Sequence, residues 1–274
     1  MENFSLNRLS VWQETPTQPA IGTVVHCHGL GEHSERHRNT FQKLLANGFN
    51  VFRFDFRGCG ESKGERQWID DFADYVEDAR SVVAEARKRA PNLPIFLMGH
   101  SLGGAVALTL VGKGEGTVSG LVLSAPAYQV GKGVSPLKIK IGKLLEKWLP
   151  HLKIPGSLDL STLSRDPKVV EAYKCDPLCC TYNTVKQGNE ILKALSHLPE
   201  AVGRVKVPLL IAHGDHDKLI PVEGSRELFR KAPSSDKLLK EFHGGYHELH
   251  NDVIHDEYLN YVSGWLKARS SLRA

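Results

Sequence analysis

Short apolar runs rich in β-branched and aromatic residues alternate along this chain with amphipathic helical stretches, the pattern that a largely parallel sheet covered by helices requires. Runs at residues 6–12, 22–28, 50–54, 94–99, 118–124, 207–213 and 238–243 read as strands. Between them, helical stretches fall at residues 40–47, stopped by Gly48, at 70–89, ended before Pro91, at 102–111, and at 252–267. From 128 to 204 the alternation fails, and helical segments broken by Gly and Pro take its place without a strand of quality. We therefore expect an α/β fold: a core of residues 1–127 and 205–274, built on a mostly parallel sheet with helices on both faces. A helical cap, residues 128–204, is inserted late in the sheet. At 274 residues the chain is long for one domain, yet a single core of this class accommodates it.

One strand-to-helix junction carries chemistry. Gly99-His100-Ser101-Leu102-Gly103 fits the turn in which a serine is projected from a sharp bend between a strand and a helix. A side chain two residues before or after the serine would collide in that bend, so glycine is needed there. The helix that follows leaves free N–H groups beside the serine, and Leu102 supplies one for a developing oxyanion. Composition alone yields Gly-x-Ser-x-Gly in roughly one chain in ten of this size. The weight comes from context: Ile95-Phe96-Leu97-Met98 precedes it as a strand and Ala105-Val106-Ala107-Leu108 follows as a helix.

A serine hydroxyl near neutral pH needs an imidazole to take its proton and a carboxylate to fix the tautomer of that imidazole. His213-Gly214-Asp215-His216-Asp217 follows a strand and offers two carboxylates at the sheet edge where such groups are presented. Asp215, nearer the strand, has the alternative task of shaping the turn. Of thirteen histidines, His247 is best placed as the base: it lies beyond the last strand, after Gly244-Gly245, in a loop able to reach over the sheet edge. His243 falls on the strand, and His250 and His255 at or within the next helix. A second oxyanion donor is expected from the loop His28-Gly29-Leu30-Gly31-Glu32-His33, through the Leu30 amide. His28 and His33 invite a metal, but no Cys, Asp or His set with zinc spacing accompanies them, so none is expected. The chemistry calls for no cofactor.

Composition removes other classes. No apolar run nears the roughly 18 residues that span a bilayer, so a soluble protein is expected. The N-terminus has no basic start, apolar core or small-residue cleavage site. Five scattered cysteines form no disulfide framework and fit a reducing, cytoplasmic location. A net charge of +4 without a basic stripe interleaved with aromatics argues against nucleic acid as a partner. Within the cap, Leu137, Ile141, Leu144, Leu145, Trp148 and Leu152 recur at helical spacing, while Lys140, Lys143 and Lys147 share another face. That helix is either a plain cover with solvated lysines or a point of peripheral contact with membranes or micelles.

With these motifs, the chain resembles the monoacylglycerol lipase and lysophospholipase branch of the α/β-hydrolases over residues 21–266. Beyond Gly99-His100-Ser101-Leu102-Gly103-Gly104 and the His28 to His33 loop, it carries that branch's Asp55-Phe56-Arg57-Gly58-Cys59-Gly60-Glu61-Ser62-Lys63-Gly64 segment. Leu163-Ser164-Arg165 and Asp176-Pro177-Leu178 of the cap add to the likeness. The resemblance implies the α/β-hydrolase fold, a triad of Ser101, Asp217 and His247, and hydrolysis of a single-chain lipid ester through an acyl-serine. It also implies that Glu32, Arg36 and His250 form a polar network behind the oxyanion loop; the alternative is an exposed Glu32–Arg36 pair of little consequence. In its lysine content the cap helix departs from the more apolar cap of that branch.

The core motifs do not separate a lipase from a carboxylesterase, a thioesterase or a peptidase that removes N-terminal residues. A peptidase should present acidic groups to a substrate amine, whereas a basic amphipathic cap favours an apolar or anionic amphiphile. Dehalogenation in this fold needs an aspartate where Ser101 stands. A binding protein that has lost catalysis would lack a triad residue, and all three are present.

Overall fold

The computed structural model describes residues 1–114, 117–129, 136–156 and 159–270, with residues 136–139 described in their backbone alone. In chain order its elements are β1 (Glu2–Leu6), β2 (Leu9–Glu14), β3 (Gly22–Cys27), α1 (Arg38–Ala46), β4 (Phe49–Phe54), α2 (Ala73–Arg89), β5 (Ile95–His100), α3 (Leu102–Gly112) and β6 (Gly120–Ser124). Then follow α4 (Pro136–Glu146), β7 (Lys153–Pro155), α5 (Pro167–Cys175), β8 (Tyr182–Thr184) and α6 (Val185–Val202), before β9 (Leu209–Gly214), α7 (Val222–Lys231), β10 (Lys237–Phe242) and α8 (His255–Ser270).

The main sheet has eight strands in the order β1-β2-β4-β3-β5-β6-β9-β10, parallel from β4 to β10 with β1 and β2 antiparallel at one edge. Strands β3 to β6 and β9 are buried along their whole length, which is why they read as continuous apolar runs instead of alternating ones. Helices cover both faces. Val76, Val83, Ala105, Leu108 and Leu198 of α2, α3 and α6 close one core, and Phe41, Leu44, Tyr258, Val262 and Trp265 of α1 and α8 close the other. The chain leaves β3 toward β4 on one side and continues through β5 on the other, so the loops after β3 and β5 diverge at a switch point. A crevice opens there at the strand ends.

Three elements differ from expectation. The run at residues 6–12 is two strands, because Asn7 adopts φ 57° and turns the chain between Leu6 and Leu9. Between β6 and β9 there is a short antiparallel ribbon, β7 with β8, each strand three residues long and thus below any periodicity signal. Helix α7 also had no place in the sequence reading; Gly224 and Ser225 interrupt its pattern. In the same inserted stretch, α6 packs on both α3 and α4. The side chain of Leu137, at the head of the apolar stripe, lies outside the described residues. Of the rest of that stripe Leu145 is half-buried, whereas Ile141, Leu144 and Trp148 are exposed at 48%, 68% and 74%, beside exposed Lys140, Lys143 and Lys147.

Candidate active site

Ser101 stands at the end of β5 with φ 51° and ψ −118°, a conformation that L-residues avoid and that costs about 1–3 kcal/mol where surrounding structure enforces it. The enforcement is visible. Ser101 N–H donates to the Ser124 carbonyl of β6 at 3.0 Å, and the Ser101 carbonyl accepts from Gly104, Ala105 and Ala127. A Cβ on Gly99 would lie 2.3 Å from the Gly103 carbonyl oxygen, and one on Gly103 the same distance from the Cys27 oxygen. Both glycines therefore let α3 begin hard against β5 and β3. Leu102 opens that helix, and among the described residues neither its amide nor the Leu30 amide donates to a protein acceptor.

The loops after β9 and β10 bring the carboxylate and imidazole together. His247 Nδ1 donates to Asp217 Oδ2 at 2.7 Å, and both side chains are buried. Asp217 Oδ1 accepts from the Leu219 and Ile220 amides at 2.8 and 3.0 Å, while His213 Nε2 lies 3.2 Å from Oδ2. Burial alone would raise this carboxyl, but the His247 imidazole and the bonds from His213 and His247 outweigh it and hold the group far below the usual carboxylate range. For His247, burial works to lower the imidazole, and the Asp217 carboxylate, with Glu248 and Glu32 behind it, outweighs burial, so its pKa sits above the ordinary 6.5. Asp215 faces elsewhere, accepting from His216, His243 and the Gly244 amide; those bonds prevail over burial and keep it down at about 2. Among the described residues the Ser101 hydroxyl makes no hydrogen bond. The Asp217–His247 link is thus formed, and among the described residues no hydrogen bond joins His247 to Ser101.

Glu32 and Arg36 are buried, with side-chain exposures of 4% and 7%, which overturns the exposed-pair alternative. Glu32 accepts from the Gly29 amide at 2.5 Å, from His37 Nε2 at 3.0 Å and from Arg36 Nε at 3.2 Å, bracing the loop that carries Leu30. Arg36 then grips both oxygens of Glu248 at 2.8 and 2.7 Å, tying that loop to the residue after His247. His250 joins differently from expectation. It stacks on His37 at 4.0 Å between ring centroids, and its Nε2 has no partner among the described residues. Burial pushes His26, His100 and His250 down, so a layer of neutral imidazoles lies behind the site. His28 packs nearby, with Nδ1 donating to the Gly29 carbonyl and Nε2 accepting from the Phe56 amide. Sequence reading missed His37, Glu248 and His213; proximity of Glu248 to His247 was the one available signal.

Ser101, His247, Leu30 and Leu102 line one cavity of about 700 Å³, a size suited to a small ligand. Its wall is largely apolar, with Leu163, Val185, Ile191, Leu192 and Leu195 from the stretch between β6 and β9 and Ile220 from the Asp217 loop. Of the carboxylates lining it, Glu32 and Glu248 bind Arg36, and Asp159 accepts through Oδ1 from the Ser161 amide and hydroxyl.

A family model described as "Serine aminopeptidase, S33" matches residues 18–254. A monoacylglycerol lipase of Mycolicibacterium smegmatis is 38% identical over 93% of this chain and 91% of its own length. The human monoglyceride lipase is 34% identical over 95% of this chain and 86% of its own. Among solved structures, Paleococcus ferrophilus monoacylglycerol lipase superposes with a TM-score of 0.86 at 31% identity, covering 94% of this chain and 99% of that one.

Proposed function

The chain belongs to the monoacylglycerol lipase branch of the α/β-hydrolase superfamily, and on that footing we propose that it hydrolyses monoacylglycerols to a fatty acid and glycerol through an acyl-Ser101 intermediate. As Ser101 Oγ attacks the ester carbonyl, its proton passes to His247 Nε2, and the Leu30 and Leu102 N–H groups receive the oxyanion. Collapse breaks the acyl–oxygen bond, and His247 returns the proton to the departing glycerol oxygen. Water then attacks the acyl carbon with His247 again as base, freeing the fatty acid and restoring the hydroxyl. Asp217 holds the His247 tautomer and stabilises the imidazolium. Residues 128–204 act as the cap.

The observation that carries this reading is the apolar cavity shared by Ser101 and His247, walled by cap side chains that can hold an acyl chain. A peptidase would need a free carboxylate for the substrate amine; beside Ser101 the two that line this cavity, Glu32 and Glu248, are paired with Arg36, and the third, Asp159, is exposed. Kinetics on monoacylglycerols of graded chain length, lysophospholipids and aminoacyl amides test it: kcat/KM should be highest for a monoacylglycerol, by orders of magnitude over the amides. Equal or faster amide turnover would sink the assignment.

No helix among the described residues is long and apolar enough to cross a membrane. The exposed Ile141, Leu144 and Trp148, flanked by Lys140, Lys143 and Lys147, support a reading in which α4 and the turn after it touch the lipid surface peripherally. Replacing the three lysines by glutamine should weaken binding to phosphatidylserine-containing vesicles by about 100-fold at low ionic strength, at roughly 1 kcal/mol per charge. Sedimentation of vesicles checks this, and unchanged, salt-insensitive binding would contradict it.

A further inference from the structure

One cluster of ligand-type side chains plays no part in the reaction above. His33 closes the loop that carries Leu30, while Asp176 and Cys179 share the turn after α5. One ligand atom from each, a ring nitrogen, a carboxylate oxygen and Sγ, lies within 4.8 Å of the other two. We propose that His33, Asp176 and Cys179 bind a thiophilic divalent cation of the Zn²⁺ class, which ties the cap to the oxyanion loop.

Imidazole, thiolate and carboxylate together are a zinc donor set, and three protein ligands leave a fourth position for water. Ligand atoms in a tetrahedral zinc cage stand about 3.5 Å apart, so closure needs Cys179 Sγ to approach by on the order of 1 Å while the His33–Asp176 pair, now at 2.8 Å, opens slightly. Part of the geometry is already set. Asp176 Oδ1 accepts from the Leu178 amide at 2.8 Å, the Cys179 amide donates to the Asp176 carbonyl at 3.1 Å, and Oδ2 is left facing His33 Nε2 at 2.8 Å. His33 is buried and the other two are half-buried, so the site opens to solvent on the cap side.

On binding, Cys179 gives its thiol proton to solvent and the His33 proton resides on Nδ1. The His33–Asp176 hydrogen bond is replaced by two bonds to the ion. The same cap turn already leans on the loop, since the Gly31 carbonyl accepts from Cys180 N–H at 2.7 Å and Tyr173 Oη–H at 2.8 Å. An ion there would fix a contact that now rests on hydrogen bonds. The sequence hid the set because His33 lies 143 positions from Asp176.

The test is thermal melting of the full chain in increasing ZnCl₂, with absorption spectra of the Co²⁺-substituted protein. Wild type should gain about 5 °C in Tm at zinc on the order of 100 times Kd, reversibly with EDTA. The gain should persist in Cys175→Ser, whose cysteine is exposed, and vanish in Cys179→Ser. Co²⁺ should give a sulfur-to-metal charge-transfer band that Cys179→Ser lacks. An equal zinc response in wild type and Cys179→Ser, or a wild-type Co²⁺ spectrum without the thiolate band, would overturn the proposal.

Discussion

Replacing Ser101 by alanine is expected to lower kcat on a monoacylglycerol by about 10⁶-fold, the scale at which losing the nucleophile of a serine hydrolase leaves only the oxyanion donors and substrate binding at work. The fold should survive. What holds the bend is backbone and glycine packing: the Ser101 amide on Ser124, its carbonyl on the amides of Gly104, Ala105 and Ala127, and Gly99 and Gly103 against neighbouring carbonyls. Alanine keeps all of these and inherits the same φ of 51°. Circular dichroism and melting should therefore match wild type while turnover falls to background. Retained turnover would remove Ser101 from the mechanism.

Asp217→Asn should cost about 10⁴-fold in kcat, because an amide at Oδ2 no longer demands a proton on His247 Nδ1 and the imidazole loses the tautomer that accepts at Nε2. The pH profile adds a second readout. A general base must be neutral, so kcat/KM falls as pH drops through the pKa of His247 in the free enzyme. Burial lowers that pKa, and the Asp217 carboxylate together with Glu248 and Glu32 outweighs it, placing the acid limb above 6.5 in wild type. In Asp217→Asn the largest raising charge is gone and burial remains, so the limb should move to lower pH. An acid limb that stays in place would show that another group titrates.

Much of this was legible because the parallel strands are buried on both faces and leave unbroken apolar runs. Ser101 could be read from its pentapeptide only with the strand and helix around it. Asp215 and Asp217 share one loop two residues apart, and residue type cannot rank them; the folded loop does, turning Asp217 to His247 and Asp215 to the exposed His243. Glu32 and Arg36 could not be told from a surface pair, since their burial depends on Tyr173 and Glu248 arriving from far along the chain. The helical stripe of α4 has the same periodicity whether packed or bare, so its exposure was not readable either.

The central claim, that Ser101 is the acyl-transfer nucleophile, is tested most directly by treating the folded protein with a serine-reactive alkyl phosphonate and mapping the adduct by peptide mass spectrometry. One phosphonyl group should appear per chain, on Ser101, with loss of esterase activity in proportion. No adduct in the folded protein, or a stoichiometric adduct on another residue with activity lost in step, would contradict the account.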